Sequence, residues 1–466
     1  MKSFFNIVCV VSICVLISLC GCGDPGLEYL ETAEQAGAWM TSVEEEVGFR
    51  IFWPSQPDTM KRGEISFYHG VPGGILFFLE LFKATGTEDY KTSAQEAADW
   101  LLDRANKVNG GYFWTDDSLN GEPVPSPGLY TGTAGVGTVF MEFSKYDNNP
   151  LYRMYARGAA HYLVEHMQMS DRGGSWGSSL DIISGSAGIG LFLIRAAEQY
   201  ENDDFLEAAK EAGIFLIDKA IDDPPGKKWG AQLGATRIYP NFSHGTSGAA
   251  FFLATLYQAT GDRQFLDAAT AGAEWLEAHE EDHEGEGHAW YHHEPDGKDL
   301  YYAGWCHGPG GTARLFLQLY QATHDEKWLT MAQESARWLM TVGLPEKKMD
   351  GFWNVSMCCG HAGIIDFLLD MYAVTQDKQY WECAVTFMTD LTMKASPGSP
   401  GLKWVQAENR TRPDEVFAQT GYSQGAAGIG LVYLKMYAYA HKNPPFLPAA
   451  LPDSPFWQKM EKEENK

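Results

Sequence analysis

The chain has 466 residues, of which 45% are hydrophobic and 13% aromatic, so it is able to bury a large core. Its 61 acidic residues outnumber its 35 basic residues, and the resulting formal net charge of −26 repels the phosphates of nucleic acids. We therefore expect a soluble, monomeric body with no nucleic-acid partner.

The first segment has the features of an export signal. Lys2 precedes an apolar run over residues 4–19 that is too short for a comfortable membrane span. The run ends in Leu19-Cys20-Gly21-Cys22, which resembles the lipobox of bacterial lipoproteins, and Cys22 fits the acylated position better than Cys20. An ordinary cleaved signal peptide is the alternative. Either signal predicts an extracytoplasmic protein, and the lipobox predicts a lipid anchor on Cys22 after removal of residues 1–21.

Seven copies of a G-x-x-G element follow at nearly constant intervals. Their first glycines are spaced 52 to 65 residues apart: Gly70, Gly132, Gly185, Gly245, Gly308, Gly360 and Gly425. A single G-x-x-G carries little information, but seven copies at this nearly constant spacing are typical of a helical repeat fold. Each copy opens an apolar stretch that predicts a helix buried on most of its faces.

Two further features recur with the same period. An amphipathic segment led by an aromatic residue predicts a second helix in each unit, at Trp39, Trp100, Tyr162, Phe215, Trp275, Trp338 and Phe387. A tryptophan-containing loop then precedes the glycine turn, at Trp53, Trp114, Trp176, Trp229, Trp290, Trp353 and Trp404. Each unit is therefore predicted to run from outer helix through tryptophan loop and glycine turn to inner helix.

These units predict an all-α fold in which seven helical hairpins form a closed α/α toroid with inner and outer rings. An open solenoid is the alternative, but it would leave one face of the apolar inner helices in water. The predicted organisation is a signal peptide at 1–21, a tether at 22–28, the toroid at 29–442 and a C-terminal tail at 443–466.

The residues just before each first glycine should meet around the axis of the toroid. Two positions back lie Tyr68, Tyr130, Ile183, Ser243, Cys306, Cys358 and Ser423, and one position back lie His69, Thr131, Ser184, His244, His307, Cys359 and Gln424. A purely structural turn would look alike in every repeat. The divergence instead indicates a site on one side of the ring, near repeats four to six.

The motifs of those repeats resemble the lanthionine synthetase C-like family, and the resemblance covers residues 30–440. They are Phe242-Ser243-His244-Gly245, Trp305-Cys306-His307-Gly308 and Cys358-Cys359-Gly360-His361-Ala362-Gly363. The resemblance implies a zinc ion held by Cys306, Cys358 and Cys359, although the family more often has His at the third position. His307 and His361 are alternative ligands or neighbours of the site.

The resemblance also implies two catalytic residues, Asp181 and His244, the latter as an acid or base. The alternative is a purely structural role, in which Asp181 caps a helix and His244 binds a backbone carbonyl. An arginine that some members have before the first zinc cysteine is missing, because the stretch here reads Tyr301-Tyr302-Ala303-Gly304-Trp305.

The cysteines and histidines outside these motifs are interpreted structurally. Cys383 falls in an outer-helix pattern and is assigned to the core, and inert thiols or a Cys306–Cys358 disulfide are the alternatives to zinc. Five further histidines lie among acidic residues, and this composition predicts a solvated acidic loop rather than a metal site. They are His279, His283, His288, His292 and His293.

By the resemblance, the function is a zinc-dependent addition of a thiol to a dehydroamino-acid carbon, which forms a thioether in a peptide substrate. Three thiolates would make a bound substrate thiolate more nucleophilic. Because the family's cyclisation takes place in the cytoplasm, an exported member is expected to act on a different acceptor, such as a small thiol or electrophile. The alternatives are a carbohydrate-active toroid enzyme, which needs a carboxylate pair, and a non-catalytic zinc protein.

Overall fold

The computed structural model describes residues 24–116, 124–282, 286–344, 354–408 and 411–456. In these ranges fourteen helices form two concentric rings, as predicted. The outer helices are α1 (Leu27–Ser42), α3 (Glu88–Leu102), α5 (Pro150–Glu165), α7 (Asp203–Asp218), α9 (Arg263–Ala278), α11 (Glu326–Val342) and α13 (Lys378–Met393). The inner helices are α2 (Val71–Thr85), α4 (Thr133–Tyr146), α6 (Ser186–Tyr200), α8 (Thr246–Thr260), α10 (Pro309–Thr323), α12 (His361–Thr375) and α14 (Ala426–Ala440).

Backbone hydrogen bonds close the ring. The segment before each inner helix bonds to the segment of the next repeat, through Tyr68 N to Tyr130 O (2.9 Å), Tyr130 N to Ile183 O (2.9 Å), Ile182 N to Ser243 O (3.3 Å), Ser243 N to Cys306 O (3.1 Å), Cys306 N to Cys358 O (2.9 Å), Cys358 N to Ser423 O (2.9 Å) and Ser423 N to Tyr68 O (2.9 Å). The last bond joins repeat seven to repeat one, and α14 packs on α1. The closed toroid is therefore confirmed over the open solenoid.

Glycine is required at the turns because backbones approach closely there. A Cβ on Gly132 would lie 2.0 Å from the carbonyl oxygen of Ser126, and one on Gly311 would lie 1.8 Å from that of Trp305. No side chain fits at such distances. The recurring glycines thus bring the starts of the inner helices together around the axis.

The tryptophan loops terminate the outer helices. In five repeats the indole N–H donates to a carbonyl near the C-terminal end of the preceding outer helix, for example Trp114 to Leu101 O (2.8 Å) and Trp176 to Leu163 O (2.7 Å), and likewise for Trp229, Trp290 and Trp404. These bonds satisfy carbonyls that the helix leaves without an N–H partner. Trp353 lies outside the described residues.

The connections contain short antiparallel hairpins that the sequence analysis assigned only as loops. Nine two-stranded pairs are present in the described ranges: Glu45–Val47 with Arg50–Phe52 (β1, β2), Asn106–Val108 with Gly111–Phe113 (β3, β4), Thr115–Asp116 with Val124–Pro125 (β5, β6), Gln168–Ser170 with Gly173–Ser175 (β7, β8), Ile221–Asp223 with Gly226–Lys228 (β9, β10), Glu281–Asp282 with His288–Ala289 (β11, β12), Tyr291–His293 with Gly297–Tyr301 (β13, β14), Ser396–Pro397 with Leu402–Lys403 (β15, β16) and Val405–Ala407 with Val416–Ala418 (β17, β18).

The segment at 443–456 lies inside the inner ring from Phe446 onward. Ala449 N donates to Glu80 Oε2 on α2 (3.0 Å), Gln321 on α10 donates to Pro455 O (2.6 Å), and Arg195 on α6 donates to a tail carbonyl. A segment that touches helices on different sides of the ring must occupy its centre. Asp453 is buried there and accepts the hydroxyl hydrogen of Tyr130 at 2.9 Å.

Charged side chains also line the inner ring, although its helices read as apolar. Lys435 bonds to Asp366 and Asp370 at 2.7 Å each, and Arg314 bonds to Asp366 at 2.5 Å. These groups are paired across α10, α12 and α14, which limits the cost of burying them. None of the helices in the described residues is long and apolar enough to cross a bilayer.

Candidate metal centre

Three cysteines meet at the top of the inner ring. Cys306 lies in the segment before α10, Cys358 and Cys359 lie in the segment before α12, and the Cys306 N to Cys358 O bond aligns the two segments. The Cys306 and Cys359 sulfurs are 3.2 Å apart, and the Cys358 and Cys359 sulfurs are 3.4 Å apart. All three sulfurs lie within 4.8 Å of one another. The structure thus brings together the cysteines that the sequence motifs selected.

The cysteines are suited to a metal rather than a disulfide. All three are free, and their separations are well above the length of roughly 2.05 Å of an S–S bond. Thiolates are preferred zinc ligands. In the described part of the chain no fourth His, Cys, Asp or Glu joins the group. Since structural zinc sites normally have four protein ligands, three donors resemble a catalytic site.

The surroundings stabilise a thiolate. Hydrogen bonding with Cys306 and with Cys358 holds the pKa of Cys359 well below its usual range. Burial raises the pKa of Cys358. Without a bound metal, Cys358 therefore holds its proton more tightly than Cys359 does. The inner helices all begin at this end of the ring, and the partial positive charge at the start of α12 adds to the effect.

His244 and Asp181 form a pair next to the cysteines. His244 Nδ1 lies 2.6 Å from Asp181 Oδ2, and the other carboxylate oxygen accepts the backbone N–H groups of Ser184 (2.8 Å) and Gly185 (2.9 Å). Asp181 therefore holds the turn that precedes α6 and also orients His244, while α6 itself has no side-chain cap, so the helix-cap interpretation is not met in the strict sense. The side chain of His244 is 38% exposed.

The two alternative histidines are placed differently from each other. His361 points away, because its Nδ1 binds Asn354 O at 3.1 Å and its Nε2 binds Asp390 at 2.7 Å. His307 faces the site beside His244, with ring centroids 5.9 Å apart, and its Nδ1 has no partner among the described residues. Burial, together with the charges of His292 and His244, holds the pKa of His307 well below its usual range.

The prediction of a solvated acidic loop at 279–293 is wrong for its C-terminal end. His292 and His293 lie on β13, and the ring of His292 contacts those of His307 (4.3 Å) and Tyr239 (5.4 Å). The hairpin β13–β14 is held in place by backbone bonds between Ile238 and Glu294, so both histidines pack inward. Of the remaining histidines, His279 stacks on Trp275, His288 pairs with Glu280, and His283 lies outside the described residues. We call His244, His292, His307 and Tyr239 the histidine wall.

Two further cysteines were assigned from the sequence, Cys383 to the core and Cys22 to a lipid anchor. Cys383 lies on α13, away from the site, and burial raises its pKa to about 11, in keeping with its assignment to the core. Cys22 lies outside the described residues.

The sequence analysis assigned no role to Tyr68 and Gln424, although the ring positions contained both. Tyr68 donates its hydroxyl hydrogen to Cys358 Sγ at 2.9 Å, and Gln424 donates to the Tyr68 oxygen at 2.8 Å.

Comparison with known proteins agrees with this geometry. The family model for lanthionine synthetase C-like protein matches residues 62–449, most of the chain and all three cysteines. The chain belongs to the lanthionine synthetase C-like family. The structure of nisin cyclase is similar with a TM-score of 0.57 at 15% identity, over 85% of this chain and 92% of that one.

Two other solved structures show more distant likenesses. The Lin0763 protein of Listeria innocua matches with a TM-score of 0.50 at 13% identity, over 88% of this chain and 97% of that chain. A GH76 alpha-mannanase of Bacteroides thetaiotaomicron matches with a TM-score of 0.49 at 14% identity, over 90% and 99%. At these identities the likenesses concern the fold alone, and the mannanase does not strengthen the carbohydrate alternative.

Proposed function

We propose that this family member is a zinc enzyme that adds a thiol to an electrophilic carbon to form a thioether. The observation that carries the proposal is the convergence of three free thiols, with no fourth protein donor among the described residues, beside an oriented His–Asp pair. A glycosidase would need two carboxylates that act on the substrate. One oxygen of Asp181 accepts the backbone N–H of Ser184 and the other binds His244. Asp181 therefore orients His244 and is not available to act on a sugar.

Cys306, Cys358 and Cys359 would hold the zinc. The bound ion would supply Lewis acidity that lowers the pKa of a substrate thiol and so provides a thiolate near neutral pH. The cysteine segments are fixed by the closed backbone ring, so the sulfurs need little rearrangement to act together. The protein's part is to hold this donor set at the start of the inner helices, with His244 beside it.

His244 is assigned the proton transfer. With its Nδ1–H donating to Asp181, its Nε2 is free to accept the proton of the thiol. Attack of sulfur on the β-carbon of a dehydroamino acid forms the C–S bond and moves the double-bond electrons toward the carbonyl. His244 then returns the proton to the α-carbon, so the addition is balanced and nothing leaves. Asp181 keeps the imidazole in the required tautomer throughout.

We propose that the thiol belongs to a peptide or to a small molecule. The acceptor is proposed to be a dehydroalanine-like carbon. The stretch from Tyr301 to Trp305 lacks the arginine that some family members have before the first zinc cysteine, and the ring of Tyr302 in this stretch packs against His292 of the histidine wall at 4.9 Å. The five residues before Cys306 thus carry no permanent positive charge. We therefore expect an acceptor that is recognised without an anionic group, bound by a monomeric enzyme on the outer side of a membrane.

The test is a thiol-addition assay with purified protein and a dehydroalanine peptide. Wild type is expected to consume the thiol and form the thioether, and Cys358→Ala is expected to lose zinc and this activity. Cys383→Ala is the matched control, because it removes a thiol from the outer ring and should keep both. Full activity of Cys358→Ala would overturn the proposal.

A further inference from the structure

A buried chain of hydrogen bonds ends on the sulfur of Cys358. It begins at the backbone N–H of Val355, which donates to Gln406 Oε1 at 3.0 Å. Gln406 Nε2 donates to Gln424 Oε1 at 3.0 Å, and Gln424 Nε2 donates to the Tyr68 oxygen at 2.8 Å. Tyr68 then donates to Cys358 Sγ at 2.9 Å. Gln406, Gln424 and Cys358 are each less than 5% exposed, and Tyr68 is half-buried, so most of the chain is shielded from water.

The direction of the chain is determined by its start. Amide oxygen and nitrogen atoms are often interchangeable in position, but a backbone N–H is only a donor. Val355 therefore orients Gln406, whose NH₂ group must face Gln424 Oε1. Gln424 is left with its NH₂ group toward Tyr68, and the phenol oxygen accepts this bond.

A second anchor gives the same orientation. The backbone N–H of Ser356 donates to Asn354 Oδ1 at 2.9 Å, so the Asn354 NH₂ group is free to donate, and it reaches Gln424 Oε1 at 3.3 Å. Two independent backbone donors thus set the Gln424 amide. Because the phenol oxygen is occupied as an acceptor, the single hydroxyl hydrogen of Tyr68 is directed at Cys358.

We propose that Tyr68 is a positioning residue that donates a hydrogen bond to the Cys358 thiolate of the zinc site. The inference rests on the proposed function. Three thiolates around one divalent ion leave a net charge of −1, and a substrate thiolate would make it −2, in a poorly solvated place. A hydrogen bond to one sulfur withdraws part of that charge and fixes the sulfur's direction. Tyr68 and Gln424 come from repeats one and seven, so ring closure itself completes the metal site.

The experiment uses cobalt(II) in place of zinc, because thiolate-to-cobalt charge transfer reports the electron density on sulfur. In Tyr68→Phe the charge-transfer band is expected to move to longer wavelength, and metal affinity measured by chelator competition is expected to fall roughly 10- to 100-fold. Tyr130→Phe is the matched control. It removes another buried phenol hydroxyl of the same ring layer, which bonds Asp453 rather than a cysteine, and should leave band and affinity as in wild type.

The outcomes separate the two proposals. If wild type gives no thiolate-to-cobalt band, the proposed zinc function fails. If wild type gives the band and Tyr68→Phe matches Tyr130→Phe in band position and affinity, only the role of Tyr68 is overturned. If circular dichroism shows that Tyr68→Phe does not fold, Gln424→Met decides, since it removes the amide that orients the phenol. A shift to longer wavelength in that variant supports the role, and an unchanged band overturns it.

Discussion

Asp181 performs two tasks that substitutions are able to separate. Its Oδ1 accepts the backbone N–H groups of Ser184 and Gly185, and its Oδ2 pairs with His244. Asp181→Ala removes both tasks. Hydrogen bonds to a charged group contribute roughly 1.5–3 kcal/mol each, and water partly replaces the carboxylate at this turn, so we expect a loss of about 2–4 kcal/mol in the free energy of unfolding.

Asp181→Asn should keep the bonds to the turn before α6 but not the orientation of His244. An asparagine oxygen still accepts the two backbone N–H groups, so the loss of stability should stay below about 1 kcal/mol. Its NH₂ group, however, faces His244 Nδ1 as a donor and favours the opposite tautomer. We expect thiol addition to fall on the order of 10²–10⁴-fold in both variants.

Urea unfolding followed by circular dichroism measures the stability, the thiol-addition assay measures the rate, and ¹⁵N chemical shifts report the tautomer of His244. Near-wild-type activity of Asp181→Asn would refute the assignment of Asp181 as the residue that orients His244. Equal losses of stability in the two variants would refute the division of tasks between its two oxygens.

Three further predictions concern other parts of the chain. In metal-free protein at pH 8, iodoacetamide should modify Cys359 before Cys383, whose pKa burial raises to about 11, and zinc should protect only Cys359; mass spectrometry showing Cys383 modified first would contradict this. Burial and nearby carboxylates raise the pKa of Glu44 to about 7, so the stability that its protonated form contributes is lost as the pH rises through 7. Glu44→Gln should therefore raise the free energy of unfolding by roughly 1 kcal/mol at pH 8, after allowance for solvent screening, and change it little at pH 4; equal effects at both pH values would count against this reasoning. Cys22→Ser should move the protein from the membrane to the soluble fraction of the cells, whereas continued membrane association would exclude the lipid anchor.

The repeats made the helical rings predictable, because two independent signals recur with one period. The glycines mark close backbone contacts, and in five of the seven repeats the tryptophans mark indole bonds to helix ends, so both signals have a geometric cause. The three cysteines were predictable for the same reason, since equivalent positions of adjacent repeats must be neighbours in a closed ring. A helix cap was the alternative to catalysis for Asp181, whereas in the structure one of its oxygens binds the turn before α6 and the other binds His244.

Other features leave weak signals in sequence. All strands but one have only two or three residues, which is too short for an alternating pattern, so the hairpins read as loops. The segment at 443–456 combines prolines and alanines like a tail, and only its contacts across the ring reveal its central place. The inward packing of His292 and His293 depends on the docking of β13–β14 against Ile238, a long-range contact that local composition does not encode.

The most direct test of the account is X-ray absorption at the zinc edge of the purified, full-length protein. We predict one zinc per chain, with three sulfur scatterers at roughly 2.3 Å and one lighter atom, and a fourth sulfur after addition of the substrate thiol. Cys358→Ala should lose the zinc while its helical circular dichroism stays unchanged, because the packed rings hold the fold. A protein without zinc, or a zinc with four protein ligands that no thiol displaces, would contradict the account.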